Sequence, residues 1–278
     1  MKIDKNIQHI KQQNVDTMRI MSEGGVLWES KKRIKDYPIG TKVIDPNTKY
    51  NGSPIEWLIV AKNHLSYPSN SVTLISDKIL TFKAFDAAEP RATDEDVKNR
   101  GNNRYIYSNI LQWLNKYDRD WYKPQHDSDY PPVDYYVSEN SYRYEVGFLN
   151  GFSKEFLDNL LVTKSKVNIS LTTSVEFSEQ KMFLPSVTEL GLEYSQMEED
   201  EGYPIELLKD NRYRIAQSTD RRKGAWYWTR TPEHYRLSGL NRLMANGELS
   251  TNNAYGGNGG VRPMCNINAN ASCFEEVE

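Results

Sequence analysis

The sequence predicts an α+β protein, an antiparallel sheet with two helices packed on it, preceded by a short attachment segment. Three observations predict it. Apolar runs of strand length alternate with turn chemistry through residues 37–76. Two stretches, 108–115 and 152–161, place apolar residues at helical spacing behind a serine that can cap them. Towards the C-terminus, Asn246-Gly247 lies between Leu243-Met244 and Leu249, a hairpin signal because both residue types tolerate a positive φ.

At the N-terminus, Ile3, Ile7 and Ile10 recur at helical spacing among polar neighbours, so residues 1–14 predict a short amphipathic helix that needs a partner to be stable. Residues 17–21 and 26–29, around Ser-Glu-Gly-Gly, predict a hairpin that carries Val26, Leu27 and Trp28. A two-stranded hairpin is marginal alone. These six apolar residues therefore have no obvious core within the chain and mark an assembly contact with another protein. The polar stretch 30–36 reads as a linker, which divides the chain into an attachment piece, 1–36, and a domain, 37–278.

Within that domain, strands at 42–44, 55–61 and 72–76 form a meander, with Pro46, Asn47 and Asn51-Gly52 supplying a turn. Residues 87–103 are charged and predict an exposed loop. Ser108 caps a helix that buries Ile110, Leu111, Trp113 and Leu114. The stretch 117–145 has Pro124, Pro131, Pro132 and seven tyrosines, too broken for a regular element and too aromatic for disorder, so it predicts an ordered insertion. Ser153 caps a second helix with Phe156, Leu157, Leu160 and Leu161 on its buried face. Ser186 and Glu189 stand at capping-box spacing before a helical turn at 187–190. The acidic tract 198–201 reads as a solvated loop. Residues 250–260, rich in Gly and Asn, predict an exposed loop that feeds a last strand at 261–267.

Composition excludes several classes of function. With 35 Lys and Arg against 38 Asp and Glu, the net charge is −3, so nucleic-acid binding by counterion release has no source. The basic run Lys31-Lys32-Arg33 is short enough to be solvated linker. No window approaches the 18 apolar residues of a membrane span and the start is too polar for a signal peptide, which predicts synthesis and folding in a cytoplasm without membrane insertion. Cys265 and Cys273 lack zinc-spaced partners, and no cofactor or catalytic residue is indicated. Asp94-Glu-Asp and Asn252 leave a calcium site open as an idea only, and no metal is predicted. Gly256-Gly-Asn-Gly-Gly invites a phosphate loop, but Val-Arg-Pro follows where a helix start would be needed.

Ile110-Leu-Gln-Trp-Leu-Asn, Phe183-Leu-Pro-Ser, Trp228-Thr-Arg-Thr-Pro, Asn246-Gly and Gly260-Val-Arg-Pro, in that order, resemble a domain of unknown function widespread in phages and Gram-positive bacteria. The resemblance covers about 37–267. Members resemble the C-type-lectin-like fold shared by the variable proteins of diversity-generating retroelements and by formylglycine-generating enzymes. It implies a twisted antiparallel sheet with two flanking helices and a ligand-facing region near the C-terminus. The N-terminal piece, ending Gly-Val-Leu-Trp-Glu, is similar to the start of phage tail and baseplate proteins.

The implied function is that of a phage virion protein, located in the virion and homo-oligomeric. Residues 1–36 would join it to other virion proteins, and its domain would bind a glycan or protein on the host surface. An architectural decoration or bridging protein is the alternative, and a modifying enzyme of the formylglycine-generating type is a more distant one. The recognition surface is expected on Tyr227, Arg230, His234, Tyr235, Arg236, Asn241, Asn252, Asn253, Tyr255 and Asn258. Amide, phenol and guanidinium groups gathered together suit sugars and polar protein surfaces.

Overall fold

The apolar runs at 55–61 and 72–76 form the middle of a seven-stranded antiparallel sheet in the computed structural model, which describes residues 31–194, 196 and 199–277 together with the backbone of three strands nearer the N-terminus. Those three are β1 (Gln8–Ile10), β2 (Arg19–Ser22) and β3 (Gly25–Glu29). The large sheet contains β4 (Lys42–Ile44), β5 (Trp57–Lys62), β6 (Ser71–Ser76), β8 (Leu160–Leu161), β11 (Met182–Phe183), β16 (Met264–Asn268) and β17 (Glu275–Glu276). A second sheet contains β7 (Thr81–Phe82), β12 (Tyr227–Pro232), β13 (Gly239–Leu243), β14 (Leu249–Asn253) and β15 (Gly260–Val261). A third is the hairpin of β9 (Thr163–Asn168) and β10 (Val175–Gln180). The helices are α1 (Glu95–Arg100), α2 (Asn109–Leu114), α3 (Lys154–Asn159) and α4 (Asn211–Arg214).

The large sheet runs β11-β16-β6-β5-β4-β17, with β8 beside β11 on the same edge of β16. Every residue of β6 and all but the last of β5 are buried, which is why both strands read as apolar runs rather than alternations. A file of aromatic side chains covers the sheet: Trp113 meets Phe148, Phe148 meets Phe152, Phe152 meets Phe156, and Phe156 meets Trp57 and Phe274, with ring centroids 5.1–5.8 Å apart. The tyrosine-rich insertion joins this core, where Trp121 stacks on Tyr142 at 5.5 Å and Tyr142 donates to the Ala84 carbonyl.

The expected α+β class, an antiparallel sheet with two flanking helices, is overturned. The protein is mostly β, with 25% strand against 13% helix spread over several sheets. Both expected helices exist with their serine caps, Ser108 accepting from Leu111 N and Ser153 from Phe156 N. At six residues each they span about 9 Å, too short to form a helical layer. The second stops because Leu160 and Leu161, read as helical, turn into β8 against β16.

Other expectations change locally. The helix predicted over 1–14 gives way at 8–10 to β1, which adds a third strand to the predicted hairpin and supplies pairing that two strands lack. Ile3 and Ile7 lie outside the described residues, as do the side chains of Ile10, Val26, Leu27 and Trp28. The expected linker is tied down within 31–36, because Ile34 is fully buried and its N–H donates to Ala271 O at 2.8 Å. The charged loop 87–103 holds α1, capped by Asp94, whose carboxylate takes Asp96 N and Val97 N. Residues 250–253 belong to β14, and the turn before it follows the Asn246-Gly247 signal, with Gly247 alone at a positive φ of 86°.

Candidate functional site

Three of the ten expected surface residues lie inside. Tyr227 is buried and donates its hydroxyl to Arg214 O at 2.7 Å. Asn241 bridges an irregularity between β12 and β13, where its Nδ2 donates to Pro232 O at 3.0 Å. Arg230 is the centre of a buried network. Its Nη1 and Nη2 each lie 2.7 Å from a Glu189 oxygen and also donate to Leu184 O and Glu201 O. Burial alone pulls the Arg230 guanidinium towards neutrality, and the Glu189 carboxylate more than offsets it. Glu189 completes the predicted capping box with Ser186, so one side chain closes a turn and neutralises a cation.

The loop 254–260 is packed rather than exposed. A Cβ at Gly257 would stand 1.6 Å from Glu139 O, and one at Gly259 would stand 1.8 Å from the Trp228 indole nitrogen. Gly257 serves close approach to the insertion and Gly259 close approach to the Trp228 ring of β12. Asn258 is exposed at the apex, and Tyr255, half-buried, is fixed through its backbone to Arg100 O and Ser138 N.

His234, Tyr235, Arg236 and Asn253 do come together, with half-buried Asn252 in the same strand. The His234 and Tyr235 rings meet edge to face at 4.8 Å, which leaves Tyr235 64% exposed. Arg236 Nη2 donates to Asn253 Oδ1 at 2.5 Å, and its Nε is 3.6 Å from Asp96 Oδ2. Partial burial pushes the Asp96 carboxyl up, but the Ser238 hydroxyl together with Arg100 and Arg236 holds it below its ordinary value.

Leu171, which no sequence signal marked, joins this group. It sits in the β9–β10 turn at a φ of 60°, 56% exposed, with its N–H donating to His234 O at 2.8 Å. A leucine in the left-handed region is uncommon and costs about 1–2 kcal/mol. The buried Asn103 amide holds the two loops together: Nδ2 lies 2.8 Å from Ser170 Oγ, 2.6 Å from Arg236 O and 2.8 Å from Gly239 O, while Ser170 Oγ donates to Glu233 O.

Across α1 from this patch lies a depression of about 220 Å³ that sequence reasoning also missed. His126 Nε2 stands 3.2 Å from Glu89 Oε1 and its Nδ1 3.2 Å from Ser128 Oγ, which donates to Glu89 Oε2 at 3.0 Å. Behind them Asp86 accepts from Asn102 N and Asn109 N, and Asp129 accepts from Gln125 N at 2.6 Å. Burial raises all three carboxyls, and Asp129 and Glu89 raise Asp86 further. Among the described residues no three His, Cys, Asp or Glu side chains are arranged to hold a metal ion.

Cys265 is buried in β16 and burial pushes its thiol up, while burial pushes the Cys273 thiol up to about 12. Neither is a ready thiolate near neutrality.

A family model described as "Domain of unknown function (DUF6273)" matches residues 70–269, and the chain belongs to that family. That span takes in the depression, the Leu171–Tyr235 patch and the Arg230 network, but begins after β5. No curated protein and no solved structure matches the chain.

Proposed function

We propose that the chain is a phage virion protein of the tail or baseplate type that acts as a binding module. In this reading residues 1–36 join it, as a homo-oligomer, to other virion proteins, and the Leu171–Tyr235 patch contacts a glycan or protein on the host surface. The observation that supports the reading is the pairing of two large apolar side chains in solvent with a rigid base. Leu171 and Tyr235 project from loops that converge on the buried Asn103 amide through the Ser170 hydroxyl and the Arg236 carbonyl. Exposed apolar groups on pinned loops are how recognition surfaces are built. Around them His234, Arg236 and Asn253 offer donors and acceptors. A net charge of −3 gives a nucleic-acid partner no support.

The test uses the fluorescently labelled full-length protein on Gram-positive cells. Tyr235→Ala is expected to lower cell retention about tenfold, the loss of more than about 1 kcal/mol that a contact residue on such a surface carries. Its melting temperature should stay within a degree or two, since the ring is mostly in water. Unchanged retention in the double variant Leu171→Ala, Tyr235→Ala would remove the patch as the binding surface.

A further inference from the structure

The β9–β10 hairpin has one edge engaged and one edge open. Its turn decides which backbone groups face each way: Ile169 N–H donates to Ser174 O at 3.1 Å, and bonded and non-bonded pairs alternate along an antiparallel ladder. The bonded pairs that follow are Val167–Glu176, Ser165–Ser178 and Thr163–Gln180. The residues between them aim their N–H and C=O groups away from the hairpin. On β9 such groups are used, since Asn168 N–H donates to Glu201 Oε1 at 2.7 Å and Lys166 O accepts from Arg230 Nε at 3.4 Å. On β10 they belong to Val175, Phe177 and Glu179, and there they have no hydrogen-bond partner among the described residues.

We infer that this edge pairs with the same edge of a second copy of the chain, about a two-fold axis at Phe177, so that two hairpins form one four-stranded antiparallel sheet. The pairing gives a contact to the homo-oligomer proposed above and uses nothing of the ligand-binding patch.

Self-complementarity selects the second copy. With Phe177 opposite its own counterpart, Val175 stands opposite Glu179, so each outward N–H meets an outward carbonyl and no like charges stand directly opposite. Side chains agree with this register. Phe177 is 52% exposed even with the Lys164 ammonium 4.6 Å from its ring centroid, and the two-fold brings two such rings together. Open edges are normally blunted by Lys or Pro, and the outward residues of β10 include neither. Inward, Glu176 is matched by Arg104. Beside residues 179–181 the ground is a depression of about 380 Å³ bordered by Ile106 and Val162, not a covering strand. The outer edge of β14 is a poorer candidate, because Asn253 O is already taken by Gly256 N–H at 3.0 Å and its exposed residue is Thr251. Because β9 is engaged on its far side, the pairing closes as a dimer contact and does not propagate.

Sedimentation velocity on the full-length protein, over a concentration series, tests the inference. Phe177→Pro removes an outward N–H that the β9 ladder does not use, and is expected to halve the particle mass with the melting curve little changed. Phe177→Asp, which sets like charges opposite each other, is the second variant should the first fail to fold; mixing it with Phe177→Lys is expected to restore the mass that each variant alone has lost. Bonded partners have Cα atoms about 5.5 Å apart, so Phe177→Cys is expected to link two copies by a disulfide on mild oxidation, and Glu179→Cys is not. The native thiols, Cys265 and Cys273, are buried and do not compete. A wild-type protein that is monomeric throughout, an unchanged mass in a folded Phe177 variant, or linking at Glu179→Cys alone would overturn the pairing. None of these outcomes bears on the Leu171–Tyr235 patch, which cell retention tests separately.

Discussion

Two groups of carboxylates are buried in this molecule, and they are stabilised by different means. Around Arg230, one guanidinium matches Glu189 with two hydrogen bonds, and Glu201 receives Asn168 N and the Thr231 hydroxyl. Around His126, Glu89 and Asp129 share one imidazole, with Asp86 buried behind them. Asp86 and Asp129 are met by backbone N–H groups of Asn102, Asn109 and Gln125, which satisfy lone pairs without supplying charge. The first group is a closed ion pair that fixes β12 to the 186–190 turn, with Glu201 raised by burial beside it, while the second holds its carboxyls mainly by neutral donors and borders an open depression. Burial thus raises carboxyls in both places, but only in the first does a guanidinium answer one of them directly.

The comparison is broken most forcefully at Arg230. Arg230→Ala would leave Glu189 buried without its cation, and removal of one partner of a buried pair costs about 3–5 kcal/mol. Urea unfolding should show that loss. Arg230→Lys, which keeps the charge but not the planar fork, should recover only part of it. A loss under about 1 kcal/mol in Arg230→Ala would mean that water or a rearranged Glu189 side chain replaces the guanidinium, and that the network is not what fixes β12 to the 186–190 turn.

The His126 group makes a prediction about pH, with a sign that follows from the direction of its shifts. Asp86, Glu89 and Asp129 all titrate above their unfolded values. At these three groups the folded chain binds more protons than the unfolded chain from about pH 4 upward, and the stability they contribute is lost as pH rises through their folded values. Stability should be higher near about pH 5 than near about pH 8. Glu201, also raised by burial, adds to the same slope from the Arg230 side. Asp36 and Asp96 are lowered, and their opposite contribution falls at more acid pH, outside this window. Glu89→Gln should flatten the slope without abolishing it. An equal slope in that variant would assign the proton uptake elsewhere.

What could be read from the sequence was whatever local chemistry decides. The apolar run 57–61, the caps Ser108 and Ser153, the Ser186–Glu189 box and the Asn246-Gly247 turn all stand where neighbouring residues placed them. What escaped was decided by partners far along the chain. The β9–β10 hairpin turns Thr163, Ser165 and Ser178 inward, so its alternation is polar on both faces and carries no hydrophobic period. Arg230 looked like a surface fork because its carboxylate is 41 positions away. Gly257 and Gly259 looked like exposure because a glycine signals either freedom or close approach, and only the Glu139 and Trp228 neighbours distinguish the two.

Leu171 is the smallest and sharpest test, because strain and binding should move in opposite directions there. Its left-handed backbone is imposed by the bond from its N–H to His234 O, and nothing in the folded core is gained by a leucine half in water at that position. Asparagine tolerates that conformation far better than leucine. Leu171→Asn should therefore stabilise the protein by about 1 kcal/mol while the backbone stays in place. If Leu171 contributes apolar contact beside Tyr235, the same variant should weaken cell retention several-fold. Such a trade of stability against binding is expected where a strained residue serves a surface. A variant that gains stability and loses no retention would leave Leu171 as an unexplained strain, and would confine the recognition surface to the His234–Arg236 side.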